Sequence, residues 1–355
     1  MRAISAPCCC RRTTIAFPCA SGDPAVSTPR QLILGCAGPR LTPAERDLFA
    51  RADPWGFILF ARNIETPSQL AALVAELRAA LGRAAPVLID QEGGRVQRMG
   101  PPHWRGWLPP LEQTARARDP QRAMYLRGRL IATELAAVGI DVNCAPLADI
   151  ARPDTHPFLR NRCYADSPAQ VLTLARAMAA GLQAGGVLPV LKHIPGHGRA
   201  RSDSHLALPF VDTPVAELEA TDFAPFRALA DLPLGMTGHL LFPALDAEAP
   251  VTVSPRLIAL IRNGIGFRGA LMTDDISMQA LPGPVTQRAA AALTAGCDLV
   301  LHCNGNPAEM ATLAEICPPL AGTALARCNA ALAAKASPDG ADSRALAREY
   351  DQLLD

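Results

Sequence analysis

The feature that most limits what this chain can fold into is a repeated punctuation mark. A small polar residue directly followed by proline recurs at Thr42-Pro43, Thr66-Pro67, Asp119-Pro120, Ser167-Pro168, Thr213-Pro214, Ser254-Pro255 and Asn306-Pro307. A side-chain oxygen there can accept from the free amides of a helix's first turn. Proline at the first helical position loses nothing by lacking an N–H. Glu45 adds a capping box to Thr42. The helical patterns that follow stop at glycine, as at Gly139, Gly185 and Gly264. Many of the 33 prolines are therefore read as helix starters rather than as a sign of disorder.

Short apolar runs of strand length lie between these helices. They are Leu32 to Leu34, Phe57 to Phe60, Val87 to Ile89, Ile140 to Cys144, Leu188 to Leu191, Gly235 to Thr237, Ala270 to Thr273, and Asp298 to Leu301. Continuous apolar strands alternating with amphipathic helices imply a parallel sheet covered by helices. Eight such units predict an α/β fold: a single-domain (β/α)8 barrel over residues 31–355, its active site at the C-terminal ends of the strands. An open doubly wound sheet is the alternative arrangement. Ala324 to Asp355 reads as two more alanine-rich helices around the turn Ser337-Pro338-Asp339-Gly340.

Residues 1–30 show neither period, with Cys8 to Cys10 consecutive and a Ser/Pro-rich run up to Pro29. They are expected to be a disordered extension. The apolar run Thr14 to Ala20 is broken by Pro18 and falls short of a signal-peptide core. The net charge of +1 gives no general electrostatic reason to bind nucleic acid or a membrane surface. No apolar stretch is long enough to suggest a transmembrane helix. The eleven cysteines show no CxxC spacing, which supports neither a zinc site nor a disulfide framework.

In a barrel of this kind the reactive groups sit where strands end. The predicted ends carry Arg62 and Asn63 after the second strand, then Asp90, Glu92 and Arg98 after the third. Asp149, Arg160 and Arg162 follow the fourth, Lys192 and His193 the fifth, His239 the sixth, Asp274 and Asp275 the seventh, and His302 the eighth. A carboxylate such as Asp274, at the end of a buried strand, can attack an anomeric carbon once the glycosidic oxygen is protonated. Asp203 and His205 are two residues apart, so extended backbone would project both to one side. A carboxylate beside an imidazole fixes its tautomer and raises its basicity, which suits a general acid/base near neutral pH. His197, between two glycines, reads as a loop-orienting residue, and Glu92 as one that ties down its loop.

The string Lys192-His193-Ile194-Pro195-Gly196-His197-Gly198, followed after four residues by Asp203-Ser204-His205, resembles the KH(F/I)PGHG…DSH signature of family 3 glycoside hydrolases. Within that family it is similar to the bacterial single-domain β-N-acetylglucosaminidases of the NagZ kind. Thr273-Asp274-Asp275-Ile276-Ser277-Met278 resembles the family's SDDLSM, in which the first aspartate is the nucleophile, with Thr273 in place of the usual serine. Asp275 would then orient the loop. The resemblance implies that His205 is the acid/base and Asp203 its partner. It likewise implies that Asp90 and Arg98 in DQEGGRVQR, Arg162 in RNRCY, and Lys192 and His193 bind the sugar.

The activity implied is that of an exo-acting retaining β-N-acetylglucosaminidase cleaving terminal GlcNAc from peptidoglycan fragments, the GlcNAc-1,6-anhydro-MurNAc muropeptides of cell-wall recycling. The enzyme would be cytoplasmic and monomeric, with a saccharide as its partner and no metal or organic cofactor. Other chemistries stay open from the residues: a phosphorylase using the same site, a metal-dependent hydrolase with His193, His197, His205 and Asp203 as ligands, or a barrel that binds wall fragments without turning them over.

Overall fold

The structure, a computed structural model, describes residues 28–204 and 206–355. The predicted N-terminal extension up to residue 27, and His205, lie outside the described residues. Eight parallel strands close into a barrel: β1 (Arg30–Gly35), β2 (Pro54–Leu59), β3 (Val87–Ile89), β4 (Val142–Asn143), β5 (Leu188–Ile194), β6 (Leu234–Thr237), β7 (Ala270–Asp275) and β8 (Leu299–His302). Each pairs with its neighbours in sequence order, and β8 returns to β1 through Ile33 opposite Leu301. The predicted barrel is therefore the observed architecture, and every predicted apolar run overlaps one of its strands, although only Val142–Asn143 of the run Ile140 to Cys144 is strand.

Period-two alternation explains how these runs serve two cores at once. Ile33, Leu188, Val190, Leu234, Met236, Ala270, Met272, Leu299 and Leu301 point inward and fill the barrel. Leu32, Leu34, Leu191, Leu271 and Val300, one residue out of phase, pack outward under the helices. Both faces are dry, which is why no polar alternation appears in the sequence. The helix Gly322–Ala333 packs against the N-terminal ends of the strands, with Cys328 and Ala331 joining the inner cluster. Arg30 and Pro29 at the start of β1 bond to the carbonyl of Cys317 and the amide of Leu320.

Thr42, Thr66, Asp119, Ser167, Ser254 and Asn306 each accept a backbone N–H at a helix start, as expected. Thr213 does not. Pro214 has ψ 140°, so it lies outside the helix, which begins at Val215 with no side-chain cap. The glycine stops are also mixed. Gly139 leaves its helix through the left-handed region at φ 83°, whereas Gly185 ends its own at φ −88°. Gly264 lies inside a π-helical stretch, Leu260–Ile265, and the chain turns away at Gly266 instead. A small hairpin, Gln91–Gly93 with Val96–Gln97, rises beyond β3. Its strands are too short to leave a pattern in the sequence.

Candidate active site

A pocket opens at the C-terminal mouth of the barrel. Its walls include Asp90 and Arg98 from beyond β3, Arg162 from beyond β4, Lys192, His193 and His197 from the end of β5, and Asp274 and Asp275 from β7. Phe60, Val96, Phe158, Ser204, Met236, Met278, Leu301 and Cys303 complete it. Six of the predicted site residues, Asp90, Arg98, Arg162, Lys192, His193 and Asp274, thus meet in one hollow although they are spread over most of the barrel sequence.

The base of the pocket is an ion network centred on Lys192, which is 2% exposed. Its Nζ lies 2.8 Å from Asp90 Oδ1 and 2.6 Å from Glu92 Oε1. Glu92 accepts a two-pronged bond from Arg162, at 2.9 Å from Nε and 2.8 Å from Nη2, and Arg98 Nη2 lies 3.4 Å from Asp90 Oδ2. Burial alone would raise the proton affinity of Asp90 and Glu92. The cations outweigh it and hold both carboxyls below the usual range: Lys192 and Arg98 for Asp90, Arg162 and Lys192 for Glu92. Burial would likewise strip the Lys192 ammonium of its proton, but the two carboxylates overcome this and push its proton affinity above that of an ordinary lysine. Glu92 was expected to tie down its own loop. Its carboxylate instead serves as the counter-ion that lets Lys192 and Arg162 be buried, while Arg127 holds its backbone carbonyl.

Asp149 lies behind the pocket wall and is fully buried. It accepts from His193 Nδ1 at 2.7 Å and from the backbone amide of His197 at 2.7 Å. A proton on Nδ1 facing this carboxylate leaves Nε2 of His193 to the pocket. Asp149 was visible as a strand-end carboxylate, but its partnership with a histidine 44 residues away left no local signal.

On the opposite wall, Asp274 Oδ1 accepts the backbone amide of Asp275 at 2.8 Å. Among the described residues this is the one hydrogen bond to its carboxyl group. Burial raises its proton affinity, but His193, His239 and that backbone amide outweigh it, so the group is an anion at neutral pH. Asp275 orients the loop: it accepts from Ser277 Oγ at 2.6 Å and from the Cys303 amide at 3.1 Å. His239 bonds Thr252 Oγ1 at 2.7 Å and the Asp275 carbonyl at 3.0 Å.

The predicted acid/base segment reaches the pocket through Ser204, with Asp203 half-buried beside it. The backbone there turns rather than extends. The Asp203 carbonyl accepts from the amides of Leu206 and Ala207, at 2.9 and 3.0 Å; the expected alignment of Asp203 with His205 involves a residue outside the described ones. Phe60, Phe158, Ser204 and Cys303 were not anticipated in the pocket, since single apolar or small residues in loops carry no distinguishing pattern. Among the described residues no group of three or more His, Cys, Asp or Glu is arranged to hold a metal ion. No described helix is long and apolar enough to cross a membrane.

Comparison with known proteins agrees with this fold. The model of the glycosyl hydrolase family 3 N-terminal domain matches residues 34–329. The chain is 39% identical over 296 residues to a beta-hexosaminidase of Alkalilimnicola ehrlichii, covering 81% of this chain and 84% of that one. It is 38% identical over 297 residues to a beta-hexosaminidase of Chromobacterium violaceum, covering 81% and 82%. Among solved structures it is similar to NagZ from Neisseria gonorrhoeae in complex with N-trifluoroacetyl-D-glucosamine, with a TM-score of 0.82, 30% identity, and 93% and 99% of the two chains covered. A family 3 beta-N-acetylglucosaminidase from a Paenibacillus species gives a TM-score of 0.80 at 29% identity, over 91% of this chain and 67% of that one. The matched span holds every pocket residue from Phe60 to Cys303, and with it the chain belongs to glycosyl hydrolase family 3 and is a glycoside hydrolase.

Proposed function

We propose that the protein is an exo-acting retaining β-N-acetylglucosaminidase with Asp274 as its nucleophile. The observation that carries this reading is the Asp274 carboxylate, ionised at the end of β7 and sharing one pocket with Asp90, Lys192 and His193. Asp90 accepts from sugar hydroxyls, and Arg98, Arg162, Lys192 and His193 hold the ring and keep it in register with Asp274. An oxygen of Asp274 attacks the anomeric carbon while the bond to the leaving oxygen breaks. His205, oriented by Asp203, donates its proton to that oxygen. In the second step His205 takes a proton from water, the water oxygen attacks the same carbon, the ester to Asp274 breaks, and GlcNAc leaves with its configuration retained.

The relatives named beta-hexosaminidase and the aminosugar complex of the Neisseria protein support an N-acetylhexosamine as the glycone. The substrate on this reading is a peptidoglycan fragment, GlcNAc on 1,6-anhydro-MurNAc, met in the cytoplasm during wall recycling. The direct test is release of 4-nitrophenol from its β-GlcNAc glycoside. Wild type turns it over, and Asp274→Ala loses activity by roughly a thousandfold or more. Equal rates in the two would end the nucleophile assignment.

A further inference from the structure

His197 stands apart from the other buried histidines. Its ring is 1% exposed and lines the pocket. It sits between the rings of His193, 5.4 Å away at 66°, and Phe158, 5.9 Å away at 78°. Its backbone amide is bound to Asp149, yet neither ring nitrogen has a hydrogen-bond partner among the described residues. His239, by contrast, has both nitrogens engaged. Buried polar atoms without partners are rare in folded proteins because each keeps its desolvation cost uncompensated. A phenyl ring would fill the same slot against Phe158 and His193 without that cost.

The ring is also held in place. A Cβ on Gly198 would collide with the Ile150 carbonyl, and one on Gly238 would lie 3.4 Å from His197 Cδ2, so the backbone on either side is closely packed. Burial, and then the neighbouring His193, lower the His197 pKa to about 4, so the imidazole is neutral at ordinary pH. A neutral imidazole offers one donor and one acceptor, a pair that suits the hydroxyl and acetamido groups of an aminosugar.

We infer that His197 is a substrate-contacting residue, a ring nitrogen of which hydrogen-bonds the sugar seated between Asp90, Lys192 and Asp274. The inference rests on the reading of the pocket as a GlcNAc site. The test is calorimetric titration of GlcNAc into wild type and His197→Phe, with the melting temperature of each. The expected result is binding weaker by about tenfold in the variant, the loss of one or two hydrogen bonds, with a melting temperature equal to or above that of wild type. A change in affinity of less than about threefold overturns the inference. Wild type that fails to bind GlcNAc overturns the reading of the pocket itself, which separates the two failures. A crystal of wild type soaked with GlcNAc decides the matter even if the variant does not fold. A ring nitrogen within about 3.2 Å of a polar sugar atom supports the contact, and both nitrogens beyond about 3.5 Å from any such atom overturn it.

Discussion

Glu92 shows how much the pocket depends on a residue that does not line it. Its side chain is fully buried under Lys192 and Arg162 and bonds to both. Glu92→Gln removes that charge and leaves Lys192 and Arg162 without the carboxylate that bonds both, so the fold should lose about 3 kcal/mol at pH 7, the scale of a broken buried pair. The pH dependence follows from the lowered affinity of Glu92 for its proton. A carboxyl whose folded pKa lies below its unfolded value of about 4.3 contributes stability that is fully present above that value and lost as pH falls through the folded pKa. The gap between wild type and Glu92→Gln in urea unfolding should therefore be constant from pH 7 to 5 and shrink below about 4. A gap that persists unchanged at low pH would show that the carboxylate charge is not what holds the network. At this scale the sequence was informative where chemistry is concentrated in one string. Lys192, His193 and Asp274 follow from their motifs, and Asp90, Arg98 and Arg162 reach the same hollow. The counter-ions Glu92 and Asp149 were legible as residues but not as partners, because pairing across 70 or 44 positions is fixed only when the barrel closes.

The elements were the most readable level. Side-chain caps before proline mark a helix start wherever the proline itself adopts helical ψ, and Thr213-Pro214 misleads because Pro214 does not. What no cap reports is how closely two helices approach. Pro120–Ala137 and Pro168–Ala184 pack through Gly128 and Gly181. A Cβ on Gly181 would collide with the Tyr125 carbonyl, and one on Gly128 with the Met178 carbonyl. Backbone cannot yield as a flexible side chain can, so Gly181→Ala must push the helices apart. Helix propensity alone would favour alanine by up to about 1 kcal/mol, whereas overpacking costs typically 1–3 kcal/mol. The net effect should be a loss of stability in urea unfolding. A variant as stable as wild type would mean that the two helices are not packed backbone to backbone here.

At the scale of the whole molecule, barrel closure is what makes the chemistry. Strands β5 and β7 and the segments beyond β3 and β4 each place a pocket residue at the same end, so groups as far apart as Asp90 and Asp274, 184 positions, share one hollow. The alternation of apolar runs and capped helices made the helix-covered parallel sheet legible, whereas closure itself is set by the pairing of β8 with β1, which leaves no local pattern. The measurement that tests the account most directly is peptide mapping by mass spectrometry after incubation with a 5-fluoro derivative of GlcNAc bearing an activated leaving group, which slows release of the intermediate. The account predicts one added sugar, in ester linkage on the peptide carrying Asp274. A sugar on any other carboxylate, or steady turnover with inverted product and no labelled peptide, would contradict it.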